Sequence, residues 1–321
     1  MWTATSLWIV GIAALAAYAG FAVRDVLAGG HVFTWLLGAI VLYFGAILLL
    51  CASYFTIAWI WRARRPREIR LDVPGTLRLW WNEYRTLLGS PPRLMLYRLL
   101  VRDPERAPMH APVLLVHGVL CNAGVWRRLV RYLREAKIDG LYSLSYGPPL
   151  ESIETFAEQL ARKIDAIVAE TGAPRVIVVA HSMGGLITRA YLRKHGRSRI
   201  ARVVTIGTPH HGSMLAWFLA GASLAEMRPG NAWLAALNGE RLDPALRFVS
   251  LWSWHDSMVA PQTSSELPGA VDVTIAGVGH NALLGDADVF ALVRNEIEAE
   301  RRADASRQAT GRVMPPDRCP V

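Results

Sequence analysis

Val176-Ile177-Val178-Val179-Ala180-His181-Ser182-Met183-Gly184-Gly185 decides how the rest of this chain is read. A run of β-branched residues ends at a serine, and two glycines then open a segment with helical spacing. β-Branched side chains favour an extended strand, and glycines let a following helix approach that strand closely. The stretch therefore predicts a strand, a sharp turn carrying Ser182, and a helix: the geometry of a nucleophile elbow. Its usual form is G-x-S-x-G. Ala180 stands at the first position, one methyl group larger and still small. So short a pattern is weak by itself in a chain rich in alanine and glycine, and the remaining sequence has to supply partners for Ser182.

On the N-terminal side, residues 112–118 form a short apolar run ending at Gly118, which suits a buried parallel strand. Residues 123–136 read as a helix, and 141–146 as a second strand closed by Gly147-Pro148-Pro149. Ile153, Phe156, Leu160, Ile164, Ile167 and Val168 recur at three- and four-residue steps, an amphipathic helix that Gly172 ends. Beyond the elbow, 202–206, 248–252 and 271–275 read as strands and 287–300 as a terminal helix. Strands and helices alternating at this spacing predict an α/β fold, a mostly parallel sheet covered on both faces. Residues 214–246 are irregular and read either as a lid shaping an acyl pocket or as one or two packing helices. Past Arg301 the chain is polar, and 302–321 is expected to be a disordered tail.

A serine hydroxyl is a poor nucleophile at neutral pH and needs a base, which in turn needs an acid to orient it. On an elbow of this type the acid and then the base follow the serine, each on a loop after a strand. Asp256 follows the strand 248–252, and His280 follows 271–275. His210 and His211 come too early for the base, Asp272 starts a strand, Asp243 lies in the irregular segment, and Asp286 follows the histidine. Two backbone N–H groups must face the developing oxyanion. Met183 supplies one, and the loop His117-Gly118-Val119-Leu120 the other; Val119 is chosen, with Leu120 the near alternative. His117, Leu120, His210 and Trp217 are candidate pocket residues. Histidines do not cluster with cysteines or carboxylates at ligand spacing, so neither a metal nor another cofactor is expected.

Taken in order, His117-Gly118, the segment 180–185, Gly207-Thr208-Pro209-His210-His211-Gly212, Asp256 with Val259-Ala260-Pro261, and Gly279-His280 resemble bacterial triacylglycerol-lipase-like α/β-hydrolases over about residues 112–300. Some of these lipases carry A-x-S-x-G. The resemblance implies an α/β-hydrolase fold, with Ser182 as nucleophile, His280 as base and Asp256 as acid of an esterase or lipase. A thioesterase or acyltransferase uses the same triad, and a scaffold that keeps the fold without the chemistry is the rival from another class. Ser182 reactivity toward a fluorophosphonate separates the scaffold from the enzymes.

The 321 residues leave room for one such domain of roughly 200–250 residues and an appendage. Hydrophobic residues make up 52% of the chain, and the mean hydropathy is +0.24. Two uncharged apolar runs, about 7–23 and 32–61, are each near or above the span of a bilayer. Trp2, Trp8, Trp59 and Trp61 flank them as interfacial anchors. A secretory signal is the other reading of the first run, which lacks a basic start and a clear cleavage site. Secreted lipases have no such hairpin, which argues against bulk triglyceride as the substrate. Arg62, Arg64, Arg65, Arg67 and Arg70 crowd the exit of the second run, and by the positive-inside rule that exit faces the cytoplasm of a bacterial-type inner membrane.

The net charge of +9 is concentrated partly there, favouring anionic lipid headgroups over nucleic acid, for which no motif exists. The layout is then a hairpin (1–61), a basic amphipathic connector (62–110), a catalytic domain (111–301) and a tail. The connector either lies on the membrane or packs on the domain, and Pro91-Pro92 breaks it. Two spans are too few for a usual transporter core. Cys51, Cys121 and Cys319 show no disulfide framework, which agrees with a reducing compartment.

Overall fold

The computed structural model describes residues 2–104, 109 and 111–309. Six parallel strands form one sheet: β1 (Val113–Val116), β2 (Leu141–Leu144), β3 (Val176–His181), β4 (Ile200–Ile206), β5 (Arg247–Ser253) and β6 (Val271–Ile275), in the order β2-β1-β3-β4-β5-β6. Every residue of β1 and β3 is buried, as expected for a parallel sheet with both faces covered. Successive side chains point to opposite faces. Leu114, Val116, Val176, Val178 and Ala180 accordingly join one core, and Val113, Leu115, Ile177 and Val179 the other.

Helices α1 (Trp2–Leu27) and α2 (Val32–Ile60) precede the sheet, followed by α3 (Val73–Leu88), α4 (Ser90–Met95) and α5 (Tyr97–Leu100). Within the sheet region come α6 (Arg127–Glu135), α7 (Ile153–Thr171) and α8 (Met183–His195), then α9 (Ala222–Glu226), α10 (Ala232–Gly239) and α11 (Ala287–Ala309). Helix α7 starts where Ser152 Oγ accepts the Glu154 N–H and stops at Gly172, whose φ of 71° suits glycine. Because the chain winds from β1 to β2 on one side and from β3 to β6 on the other, a crevice opens at the carboxyl ends of β1 and β3.

Helices α1 and α2 have 26 and 29 residues and are apolar enough to cross a membrane. Their side chains face outward: Phe33 and Leu49 are each 73% exposed. The first helix starts before residue 7 and runs through Arg24 and Asp25, so the turn is shorter than the polar residues suggested. Asp25 is accommodated because its Oδ2 accepts from Trp35 Nε1 across the hairpin, at 2.8 Å.

The connector packs on both neighbours. On one side Phe55 stacks on Trp80 with ring centroids 4.5 Å apart; on the other Leu79, Glu83 and Leu87 are buried. Pro91 and Pro92 lie in the first turn of α4, where a missing N–H costs nothing, so they start a helix. Residues 214–246 contain a 3₁₀ turn (Met214–Trp217), α9 and α10. Leu215, Leu224, Leu234 and Leu237 enter the core, whereas Trp217, Phe218 and Leu219 stand exposed at a tip. Helix α11 continues past Arg301 to Ala309, which corrects the expectation of disorder for 302–309. Charge pairs, Arg302 with Glu298 and Arg307 with Glu300, extend it. The rest of the expected tail, 310–321 with Cys319, lies outside the described residues.

Candidate active site

Ser182 sits between β3 and α8 with φ 55° and ψ −127°, a conformation that non-glycine residues rarely adopt. Three hydrogen bonds hold it there. Its N–H donates to Ile206 O at 2.9 Å, and its carbonyl accepts from Gly185 N at 3.0 Å and from Thr208 Oγ1 at 2.9 Å. The two glycines after it are required by space. A Cβ on Gly184 would lie 2.5 Å from Val116 O, and one on Gly185 would lie 2.2 Å from Thr208 Oγ1. Ala180, the departure from the usual pattern, is fully buried in one core, where its methyl group fits.

The loops after β5 and β6 bring Asp256 and His280 together. His280 Nδ1 and Asp256 Oδ2 are 2.8 Å apart, both residues being buried. The other carboxylate oxygen accepts the Met258 and Val259 N–H groups at 2.8 and 2.7 Å, which leaves Oδ2 for the imidazole. Gly207 lies beneath the pair with φ 57°, and a Cβ there would come within 3.2 Å of Asp256 Oδ2. Burial by itself lowers the His280 pKa, but the Asp256 carboxylate, with help from Glu83, outweighs it and holds the imidazole above its usual value. Among the described residues the Ser182 hydroxyl has no hydrogen-bond partner. The acid–base half of the arrangement is thus made and the serine–imidazole contact is open, a contact that commonly tightens only with substrate.

Gly118 lies directly over the serine: a Cβ on it would fall 2.9 Å from Ser182 Cβ. Its loop is fixed by Tyr146, whose hydroxyl donates to His117 O (2.7 Å) and Gly118 O (3.0 Å) while its ring stacks on His117 at 4.1 Å. The N–H groups of Val119 and Met183 have no acceptor among the described residues. Leu120 is half exposed. His117 is buried, and desolvation drops its pKa to about 4, so it is neutral. His181, adjoining the serine, is likewise driven well below the normal value by burial, and its ring stands 4.6 Å from that of His280.

The remaining pocket candidates separate. Trp217 is exposed, with the Arg228 guanidinium over its ring at 4.9 Å. His210 is fully buried against Phe248, its Nε2 3.3 Å from Thr205 Oγ1, and offers no surface to a ligand. Sequence spacing could not tell the two, because neighbouring loop residues carry no periodicity. Burial pushes the Cys121 thiol up to about 12, which removes it as a nucleophile.

Glu83 and Tyr146 escaped the sequence reading as supporting residues, and Gly207, part of a motif there, had no role assigned to it. Glu83 had a signal, since Leu79, Glu83 and Leu87 fall at four-residue steps on one helical face. It places a carboxylate inside an apolar stripe.

A cavity of about 1160 Å³ lies between the end of α2, α3 and the Asp256 loop. Arg62, Arg64, Arg65, Arg70, Trp59, Trp80, His255 and Asp256 are among its walls. Among the described residues none of these four arginines is ion-paired.

Comparison with known proteins bears on this arrangement. A triacylglycerol lipase of Pseudarthrobacter phenanthrenivorans is 34% identical over 117 residues, covering 34% of this chain and 36% of the lipase. The lysosomal thioesterase PPT2-B of Xenopus laevis is 24% identical over 123 residues, 37% of this chain and 43% of that protein. The chain thus spans less than half the length of these curated relatives. The crystal structure of Aspergillus fumigatus lipase B superposes with a TM-score of 0.55 at 20% identity, covering 64% of this chain and 57% of that one, a likeness of fold. The α/β hydrolase fold family matches residues 111–285, which run from just before β1 to beyond His280, and the chain belongs to that family.

Proposed function

We propose that this protein is a membrane-anchored serine hydrolase that cleaves carboxylic esters of acyl lipids. The observation that carries the reading is the hydrogen-bonded Asp256–His280 pair beside a serine held at a strained elbow. In this mechanism Ser182 Oγ attacks the ester carbonyl, and its proton passes to His280 Nε2. The oxyanion is received by the Met183 and Val119 N–H groups. His280 then protonates the departing alcohol, and the acyl-enzyme is hydrolysed by water that His280 activates in turn. Asp256 keeps Nδ1 protonated and stabilises the imidazolium.

Support for a lipid substrate comes from the rest of the molecule. Two long apolar helices expose their side chains, unlike the buried helices of a soluble core. A cleaved leader is disfavoured by the contacts at the start of α1: Thr3 Oγ1 donates to Cys121 O at 3.0 Å, and Trp2 lies against Gly147. Both ends of the hairpin meet the same domain, as a two-span topology requires. The arginines at the α2 exit favour, by the positive-inside rule, a domain on the cytoplasmic side of a bacterial inner membrane, and they offer an anionic headgroup a place beside the site.

Full-length protein in detergent, offered p-nitrophenyl esters of graded chain length, tests this reading. Turnover that vanishes in Ser182→Ala is expected; no turnover at any chain length rejects it, and the scaffold alternative takes its place. The similarity to a thioesterase motivates an acyl-thioester arm of the same assay, where a thioester preferred over the matched ester reassigns the leaving group.

A further inference from the structure

We infer that Glu83, on the connector helix α3, is a positioning residue for the catalytic base, clamping the loops that carry Asp256 and His280 into one unit; the inference rests on the hydrolase reading above. Glu83 is fully buried and lies 174 to 199 residues away in sequence from the groups it holds. Its Oε1 accepts from Ser257 Oγ (2.7 Å), Asn281 N (3.0 Å) and Asn281 Nδ2 (2.8 Å), and its Oε2 accepts from Ala282 N (2.9 Å). Ser257 follows Asp256 and Asn281 follows His280, so a single carboxylate bridges both loops. The bridge reaches the base itself, because Ser257 Oγ also accepts the His280 N–H at 3.2 Å. Backbone packing is fitted to it too: a Cβ on Gly279 would lie 2.6 Å from Glu83 Oε2.

A buried carboxylate is costly to strip of water and is retained only where donors meet its charge. Packing α3 against the domain would need only another leucine between Leu79 and Leu87. An apolar side chain, however, would leave the Asn281 and Ala282 N–H groups without acceptors beside the base. The carboxylate is the group that satisfies these donors and adds negative potential near the imidazole. The charged and titratable groups around His280 are Asp256 from the β5 loop, Glu83 from α3 and His181 from the end of β3. Of these, Asp256 and then Glu83 favour the imidazolium, which is the form that accumulates when Ser182 attacks.

A second link from the same connector runs in parallel. Ala63 N donates to Gln262 Oε1 at 3.0 Å, and Gln262 Nε2 donates to Asp256 O at 3.1 Å. The segment that leaves the apolar hairpin therefore holds both the acid and the base loop.

The test uses the full-length protein and steady-state hydrolysis of a p-nitrophenyl ester from pH 5 to 9. Glu83→Gln keeps the shape, removes the charge and turns one acceptor into a donor facing Ala282 N. Expected are a kcat lower by roughly 10- to 100-fold, an unchanged KM, and an acid limb of the pH profile displaced to lower pH. Wild-type kcat, or a loss equal at every pH with the limb in place, overturns the inference. If Glu83→Gln does not fold, Ser257→Ala carries the test. It cuts the bridge to His280 N and leaves the charge, so kcat should fall severalfold with KM and limb unchanged; wild-type kcat there overturns the inference as well. The hydrolase reading is scored separately, by wild-type turnover and its loss in Ser182→Ala. Without wild-type turnover both readings fall; with it, the Glu83 result concerns Glu83 alone.

Discussion

At position 182 the hydroxyl can be removed without disturbing the turn, since the bend is imposed by Gly184, Gly185 and the Thr208 hydrogen bond. Ser182→Ala should therefore lower kcat by about 10⁶-fold while the melting temperature stays at its wild-type value. Hydrolysis rates and fluorophosphonate labelling check the first part, and a thermal melt the second. In the proposed mechanism the neutral His280 imidazole is the working form, and its pKa is raised above 6.5 by the Asp256 carboxylate. Activity should then rise with pH through a midpoint above 6.5 in kcat/KM; a midpoint below that value contradicts the arrangement. Ser182 at its elbow and the pairing of Asp256 with His280 were legible in the sequence because their chain order and their places after strands follow from the strand–turn–helix pattern. Gly207 was not, since its role under the acid–base pair depends on β4 and β5 being neighbours.

At the scale of elements, the loop after β1 is held by a residue of the loop just after β2. Tyr146→Phe removes the hydroxyl shared by His117 O and Gly118 O; Gly118 O keeps His117 Nδ1 at 2.8 Å, and the buried His117 carbonyl is left unsatisfied. A cost of about 1–3 kcal/mol in unfolding free energy follows, with a lower kcat because the Val119 N–H is no longer fixed; denaturant melts and ester turnover measure the two. Gly207→Ala should destabilise the fold by about 1–3 kcal/mol, because φ 57° and the nearby Asp256 and His280 leave no place for a methyl group. Strand and helix positions were readable from hydrophobic period. The fate of 214–246 was not, as its buried leucines and exposed Trp217-Phe218-Leu219 tip alternate without a period.

Across the whole molecule, buried neutral histidines set the response to acid. Desolvation lowers His117 and His255 to about 4, so below pH 6.5 the unfolded chain binds protons that the folded chain does not. Stability should fall as pH drops from about 6.5 to 4, seen as a falling melting temperature. His280, raised, acts oppositely: its contribution is full below 6.5 and is lost as pH rises through its folded value. The hairpin makes a separate prediction. If α1 and α2 span a bilayer, protein expressed in bacteria should stay in the membrane fraction after an alkaline carbonate wash and leave it only in detergent. Release by carbonate would exclude the spans.

From the amino-acid order alone came the strand–elbow–helix unit, the alternating α/β plan, the ordered Ser182, Asp256 and His280, and two long apolar runs. Each is encoded locally, by side-chain period or by residue type at a strand end. Tertiary structure alone decided that the connector packs on the domain, that His210 is sealed in the core, and that Glu83 grips both the Asp256 and the His280 loop from 174 to 199 residues away. Those outcomes depend on which buried donors meet which acceptors, and that pairing is settled when distant segments share one desolvated space.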